Sequence, residues 1–355
     1  MDRSSLADRF AADSTVNWKT YVLEAHPETS PEQLLRKVFG NASVRATEDV
    51  HLHNLTAGDT SYTVDTLDGR FWSFHTSDPA GEARRPLTAA VNRRHDLDFV
   101  WLPSAHLRAV ERYGRTNWVS SDFRARAFRP AETVHNLSFK ARGGTSQQLL
   151  DAIGELPEYS YALSLDRVGV LAEDDLLGTV EEAITRMAAF LARGDSFPLH
   201  QRVVAGTLER YRRLVEAAEA LALGFDPFTA DSGGHPDRTN SGGRLVGTPI
   251  ELRFSKPLAD FEGFLGQILS SRTPFRLWGV LDEYRETYAE VEAVDLHVGS
   301  RIRIEASPEM IRVHLRRGGC GNTIARLISN LQRHVDGNIV AVEPLLQAQV
   351  ALREQ

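Results

Sequence analysis

The chain has 355 residues, 42% of them apolar and 25% charged, with a formal charge of −7 at neutral pH. That composition belongs to an ordinary globular protein long enough for two domains, and the negative balance excludes wholesale coating of nucleic acid. One cysteine excludes an internal disulfide, no run approaches the about 20 apolar residues of a membrane span, and the first residues lack the apolar stretch of a secretory leader, so a cytoplasmic protein without a membrane partner is expected.

Ser30 is a cap ahead of a short helix opening at Pro31. Strands are expected at 50–55, 61–64 and 70–75, the last two joined by a turn through Asp68-Gly69. Phe99 to Leu102 reads as a buried strand ending at Pro103, followed by a helix from Ser104 to Tyr113. Val180, Ile184, Met187 and Leu191 predict a long helix over 174–194, and Val203, Leu208, Tyr211, Leu214 and Ala218 predict a second over 198–222. Residues 231–248, rich in Gly, Ser, Pro and Asn, read as a linker or long loop. It divides the chain into a domain at 1–230 and one at 249–355.

The second domain is expected to run strand (250–254), helix (from Pro257), strands near 275–280, 291–298, 301–306 and 310–315, then a helix over 322–334 stopped by Gly337-Asn338. The fold class is α+β, with mainly antiparallel sheets packed by helices on one face. The C-terminal order of strand, helix, strands, helix is seen in TATA-binding-protein-like and helix-grip domains, a resemblance of topology alone. Residues 134–139 and 150–166 can be laid on 249–254 and 265–282, the pattern of a weak internal duplication.

The sharpest motif is Arg316-Arg317-Gly318-Gly319-Cys320-Gly321-Asn322-Thr323, between a strand and a helix. Glycines allow a tight turn, and the helix start offers free N–H groups beside two arginines, so Arg316, Arg317, Gly318, Gly319, Gly321, Asn322 and Thr323 form a candidate anion site. The plainer reading is a structural strand-to-helix turn. The motif matches neither the P-loop nor the dinucleotide fingerprint. Cys320, near a helix start and two arginines, is expected to have a lowered thiol pKa.

Charge is uneven. Residues 84–142 hold twelve basic and five acidic residues, a local charge of +7 that leaves −14 for the rest. Aromatics interleave the arginines, so Arg108, Arg112, Arg115, Trp118, Arg124, Arg126 and Arg129 form a candidate nucleic-acid surface. The competing reading buries the aromatics and pairs the arginines with acids. His51 and His53, with Asp49, lie on one face of a strand pattern, which reads as a polar sheet face; no catalytic residue, metal or cofactor is expected. The run Asp282, Glu283, Glu286, Glu290 and Glu292 reads as a solvated rim.

Three functions follow in order. The first is a non-enzymatic protein binding nucleic acid or a phosphate-bearing ligand through the Arg/aromatic surface. The second is a subunit or adaptor that docks an acidic protein partner or itself. The third is an enzyme acting on a phosphorylated small molecule.

Overall fold

The computed structural model of the protein describes residues 2–12, 17–125, 134, 136–227 and 243–352. The chain begins α1 (Arg3–Ala11), β1 (Trp18–Ala25), α2 (Pro31–Phe39), β2 (Ser43–Ala46), β3 (Leu52–Ala57), β4 (Thr60–Asp65), β5 (Phe71–Thr76) and α3 (Ala80–Arg93). It continues β6 (Leu97–Phe99), α4 (Ser104–Arg108), β7 (Arg115–Arg124), β8 (Asn136–Arg142), α5 (Ser146–Gly154), β9 (Leu165–Asp174), β10 (Gly178–Thr185), β11 (Ala189–Gly194) and α6 (Phe197–Ala220). The last part is β12 (Gly224–Pro227), β13 (Gly243–Val246), β14 (Ile250–Arg253), α7 (Phe261–Ile268), β15 (Leu277–Arg285), β16 (Tyr288–Asp295), β17 (Arg301–Ala306), β18 (Met310–His314), α8 (Asn322–His334), β19 (Val340–Ala341) and α9 (Pro344–Ala351). Among the described residues no helix is long and apolar enough to cross a membrane.

Local chemistry explains many boundaries. Ser30 Oγ accepts the Gln33 N–H at 3.4 Å and Pro31 opens α2, while Gly40, at φ 59°, ends it. Ser196 Oγ likewise accepts the Leu199 N–H at 3.2 Å and starts α6. In the β4–β5 turn, Asp68 Oδ1 accepts the N–H groups of Arg70 and Phe71, at 2.9 and 3.0 Å.

The large sheet runs β2-β3-β4-β5-β1-β11-β10-β9-β7-β8, with β6 beside β1, and all its pairings are antiparallel. Every residue of β1 is buried because helices cover both of its faces. Tyr21, Leu23 and Ala25 join a core with α2 and α3, while Trp18 and Val22 join one with α1 and α6. The expectation of helices on one face therefore gives way to a sandwich at the sheet's centre.

The smaller sheet runs β15-β16-β17-β18-β14-β19. Residues 18–93 and 250–334 share one arrangement: a strand, a helix, four strands and a helix, with the first strand paired antiparallel to the last and the others following in reverse order. The sequence overlay of 134–166 on 249–282 also joins two strand–helix–strand segments. Their strands pair differently, since β8 is a sheet edge and β14 is flanked on both sides.

The predicted helix over 174–194 is instead the end of β9, β10 and β11. Val180 and Ile184 are four apart, and so are Met187 and Leu191. A spacing of four keeps residues on one face of a helix and also on one face of a strand. The buried alternation of Val180, Glu182 and Ile184, and Gly178 at φ 100°, mark the strand. Within the proposed linker, 231–242 lie outside the described residues, and Gly243–Val246 pairs with β12 as a small arm. One continuous apolar core contains residues from Leu6 to Val350 and draws on both sides of that segment.

Helix α8 is the keystone. Ile324, Leu327, Ile328 and Leu331 enter the apolar core, but its polar residues are buried as well. Asn322 donates to the Phe99 carbonyl at 3.2 Å, Ser329 to the Leu102 carbonyl at 3.2 Å, Asn330 accepts from Arg186 at 2.9 Å, and Gln332 accepts the Ser104 N–H at 2.9 Å. At its start, a Cβ on Gly321 would lie 2.1 Å from the Val215 carbonyl oxygen. Gly321→Val should therefore part α8 from α6 and cost about 1–3 kcal/mol or more. A urea midpoint equal to that of the wild type would contradict this contact.

Candidate functional site

The Gly-rich turn does hold an anion at the helix start, and it is the protein's own. Glu219, near the end of α6, accepts the Gly321 N–H at 2.9 Å. Arg70 grips the same carboxylate with two bonds, at 2.6 and 3.1 Å. Gly318 adopts φ 80°, which favours glycine. Asn322 and Thr323 point inward, toward Phe99 and Tyr211 and toward Asp295 respectively. Arg316 lies 3.8 Å from Glu292, and Arg317 donates to the Phe225 carbonyl at 3.4 Å. Arg317, Gly318 and Gly319 line a surface hollow of 480 Å³ that Glu219 also enters.

On the inner side of the turn, Cys320 meets residues from the far ends of the chain. Its Sγ lies 3.4 Å from Glu24 Oε2 and 3.4 Å from His26 Nε2. His26 Nε2 is 3.7 Å from Glu24 Oε1, and His297 Nε2 is 3.4 Å from Glu24 Oε2. One donor atom from each of these four residues lies within 4.8 Å of the others. Glu24 is the last residue but one of β1, His26 follows the strand, and His297 sits in the turn after β16. Arg70 Nε donates to Glu24 Oε1 at 2.6 Å. Burial opposes ionisation of Glu24, but the adjacent His26 and His297 rings and the Arg70 charge outweigh it and hold the carboxyl well below its usual range. The expected low pKa of Cys320 is overturned: burial, then the Glu24 carboxylate, pushes the thiol well up despite Arg70. His314, the nearest histidine in sequence, instead bonds Glu305 at 2.8 Å.

The arrangement can chelate, because it mixes sulfur, imidazole nitrogen and carboxylate oxygen in one buried spot. Sequence spacing missed it. The available signals were Glu24-x-His26 and Asp295-x-His297, two acid-x-His pairs, together with the cysteine in the turn. His51 and His53 do not converge: His51 is exposed in a turn while His53 is buried.

The candidate nucleic-acid residues spread out rather than meeting at one spot. Arg108 pairs with Asp151 at 2.6 Å and Arg124 with Asp122 at 3.0 Å. Arg112 belongs to the 3-10 turn Ala109–Tyr113. Arg115 is exposed at the start of β7, about 30 Å from Arg124 at the strand's rise per residue. Trp118 lies flat on β9, so close that a Cβ on Gly169 would sit 1.9 Å from its Nε1, and Lys140 Nζ is 4.2 Å from its ring centroid. Arg126 and Arg129 lie outside the described residues. Phe99, Trp101 and Phe123 are core side chains.

A denser cationic surface lies along α3. A groove of 1110 Å³ runs between the end of α2, the β3–β4 turn and α3, and Lys37, Arg85, Arg93 and Arg94 line it with Asp59 and Glu82. A second hollow of 400 Å³ shares Arg93 and Arg94 and adds His95, Arg272 and Arg276. Asp96 serves both Lys37, at 3.1 Å, and Arg94, at 3.5 Å. Arg85, Arg93 and Arg272 are exposed and have no ion-pair partner among the described residues.

With this geometry the chain belongs to the MJECL33-like protein family, whose model matches residues 8–347. It is similar to "Uncharacterized protein MJECL33" of the archaeon Methanocaldococcus jannaschii. The two are 24% identical over 366 residues, covering 91% of this chain and 85% of that protein.

Proposed function

We propose that the chain is a non-enzymatic binding protein whose partner is nucleic acid, held by its phosphates along the α3 groove. The observation that carries this reading is the set of unpaired, exposed Arg85, Arg93 and Arg272 around two adjoining hollows. Arginine forks match phosphate, and a cationic strip on an acidic chain steers a polyanion to one face. The groove supplements the α4 and β7 residues of the sequence reading, where Arg108 and Arg124 already have carboxylate partners. The repeated strand–helix–four-strand–helix order supports a TATA-binding-protein-like or helix-grip kinship for the two units. The carboxylate of Glu219 in the Gly-rich turn weighs against an enzyme that binds phosphate there.

Fluorescence anisotropy with labelled 20-mers tests the reading. Combined Arg85→Glu, Arg93→Glu and Arg272→Glu is expected to weaken binding by about tenfold or more. Combined Arg108→Glu, Arg115→Glu and Arg124→Glu should change it about twofold at most. The reverse ranking would return the site to the α4 and β7 arginines, and equal affinities for all three proteins would remove the groove.

A second reading, self-association through a sheet edge, has its own support. Strand β15 ends the smaller sheet and exposes Trp278, Val280, Leu281 and Tyr284. Beyond Trp278, which Ser270 bridges, exposed apolar residues on the rest of the edge favour strand addition by a second copy. Light scattering would show a dimer that Val280→Lys converts to monomer; a monomeric wild type at high concentration would dismiss it.

A further inference from the structure

We propose that Glu24, His26, His297 and Cys320 form a four-coordinate site for one zinc-class divalent cation. Bond lengths of about 2.0–2.1 Å to nitrogen or oxygen and about 2.3 Å to sulfur set tetrahedral edges of about 3.3–3.6 Å. Of the six ligand pairs, Cys320–Glu24, His297–Glu24 and Cys320–His26 are 3.4 Å apart, the first two through Glu24 Oε2, and His26 lies 3.7 Å from the other oxygen, Oε1. The three 3.4 Å separations are tetrahedral edges, and the other two pairs, His297 with His26 and with Cys320, lie within 4.8 Å, so closing around an ion asks for small side-chain shifts.

Independent support comes from His297. It is fully buried, and neither ring nitrogen has a hydrogen-bond partner, although Nε2 is aimed at the cluster. A buried ring nitrogen without a partner is costly, and a metal bond satisfies Nε2. Charge also balances. A divalent cation is neutralised by the Glu24 carboxylate and a Cys320 thiolate, while Arg70 is neutralised by Glu219. Arg70 is the supporting residue: it donates to Glu24 Oε1 at 2.6 Å and orients the carboxylate.

The mixed S, N and O donor set selects zinc over magnesium or calcium. Four protein ligands leave no position for substrate, which defines a structural centre. Only His26 reaches solvent, at 37% side-chain exposure. Because the ligands come from β1, the turn after β16 and the start of α8, the ion staples the first repeated unit to the second.

The full chain, purified without chelator or polyhistidine tag, is expected to carry about one equivalent of zinc by elemental analysis. After metal removal its melting temperature should fall, and rise again with added zinc. Titration of the apoprotein with Co²⁺ should give the strong visible bands of a tetrahedral ion and a thiolate-to-cobalt charge-transfer band. Cys320→Ser should lose the charge-transfer band. His26→Ala, which alters only the half-exposed ligand, should keep the wild-type circular dichroism and bind Co²⁺ at least about tenfold more weakly. The site is refuted if the folded wild type takes up no Co²⁺, if the bands are those of an octahedral ion, or if they survive both substitutions.

Discussion

Arg326→Ala is expected to lose about 3–5 kcal/mol of stability, enough to unfold most of a marginally stable protein. The guanidinium is fully buried, bonded to Asp98 and Asp295 and donating from Nε to the Phe275 carbonyl at 2.8 Å. Asp98 also takes Arg276 at 3.1 Å. Burial opposes ionisation of Asp295, yet the charge of Arg326 and the Thr323 hydroxyl help outweigh it and hold the carboxyl below its usual range. Without Arg326 that balance inverts, and two carboxylates remain in the joint between the repeated units. Adding Asp295→Asn to Arg326→Ala should recover part of the loss, so the two effects should not add. Urea denaturation of the single and double variants measures this. Strict additivity would show that the pair does not form the joint.

The second large effect is acid sensitivity. His75, His106 and His334 are held neutral by burial, their pKa values lowered to about 3, about 4 and about 4. His200 adds to the shift of His75, while Arg186 and Arg333 add to that of His334. The unfolded chain protonates these rings near pH 6.5 and the folded chain does not, so between those values the unfolded state binds more protons. The stability they confer is therefore complete above about pH 6.5 and lost as pH falls, by about 1.4 kcal/mol per unit for a fully buried ring. Melting temperature should drop steeply from pH 6.5 to 4.5, and His106→Asn should flatten the slope. A melting temperature constant over that interval would contradict neutral burial.

The second repeated unit was largely legible in the sequence. Helix α8 was expected at 322–334 because a Gly-rich turn and a clean apolar period bound it, and β17 at 301–306 because its residues alternate. What that period could not reveal is that Asn322, Arg326, Asn330 and Gln332 are buried too, since a polar stripe looks the same whether it faces water or a second unit. The hairpin β10–β11 was hidden by apolar residues four apart, which both periods accept. The first unit's kinship to the second rests on strand order, and strand order is made by contacts between distant residues. The same holds for the centre. Cys320 and its turn stood out, but Glu24 and His297 lie nearly 300 and about 20 residues away and join it only when β1 and the turn after β16 reach α8.

The binding claim is tested most directly by the salt dependence of wild-type affinity for duplex DNA. Three arginines on phosphates predict a straight line of log affinity against log salt with a slope of about −3. Absence of binding at low salt, or an affinity indifferent to salt, would contradict a phosphate-held partner in the α3 groove.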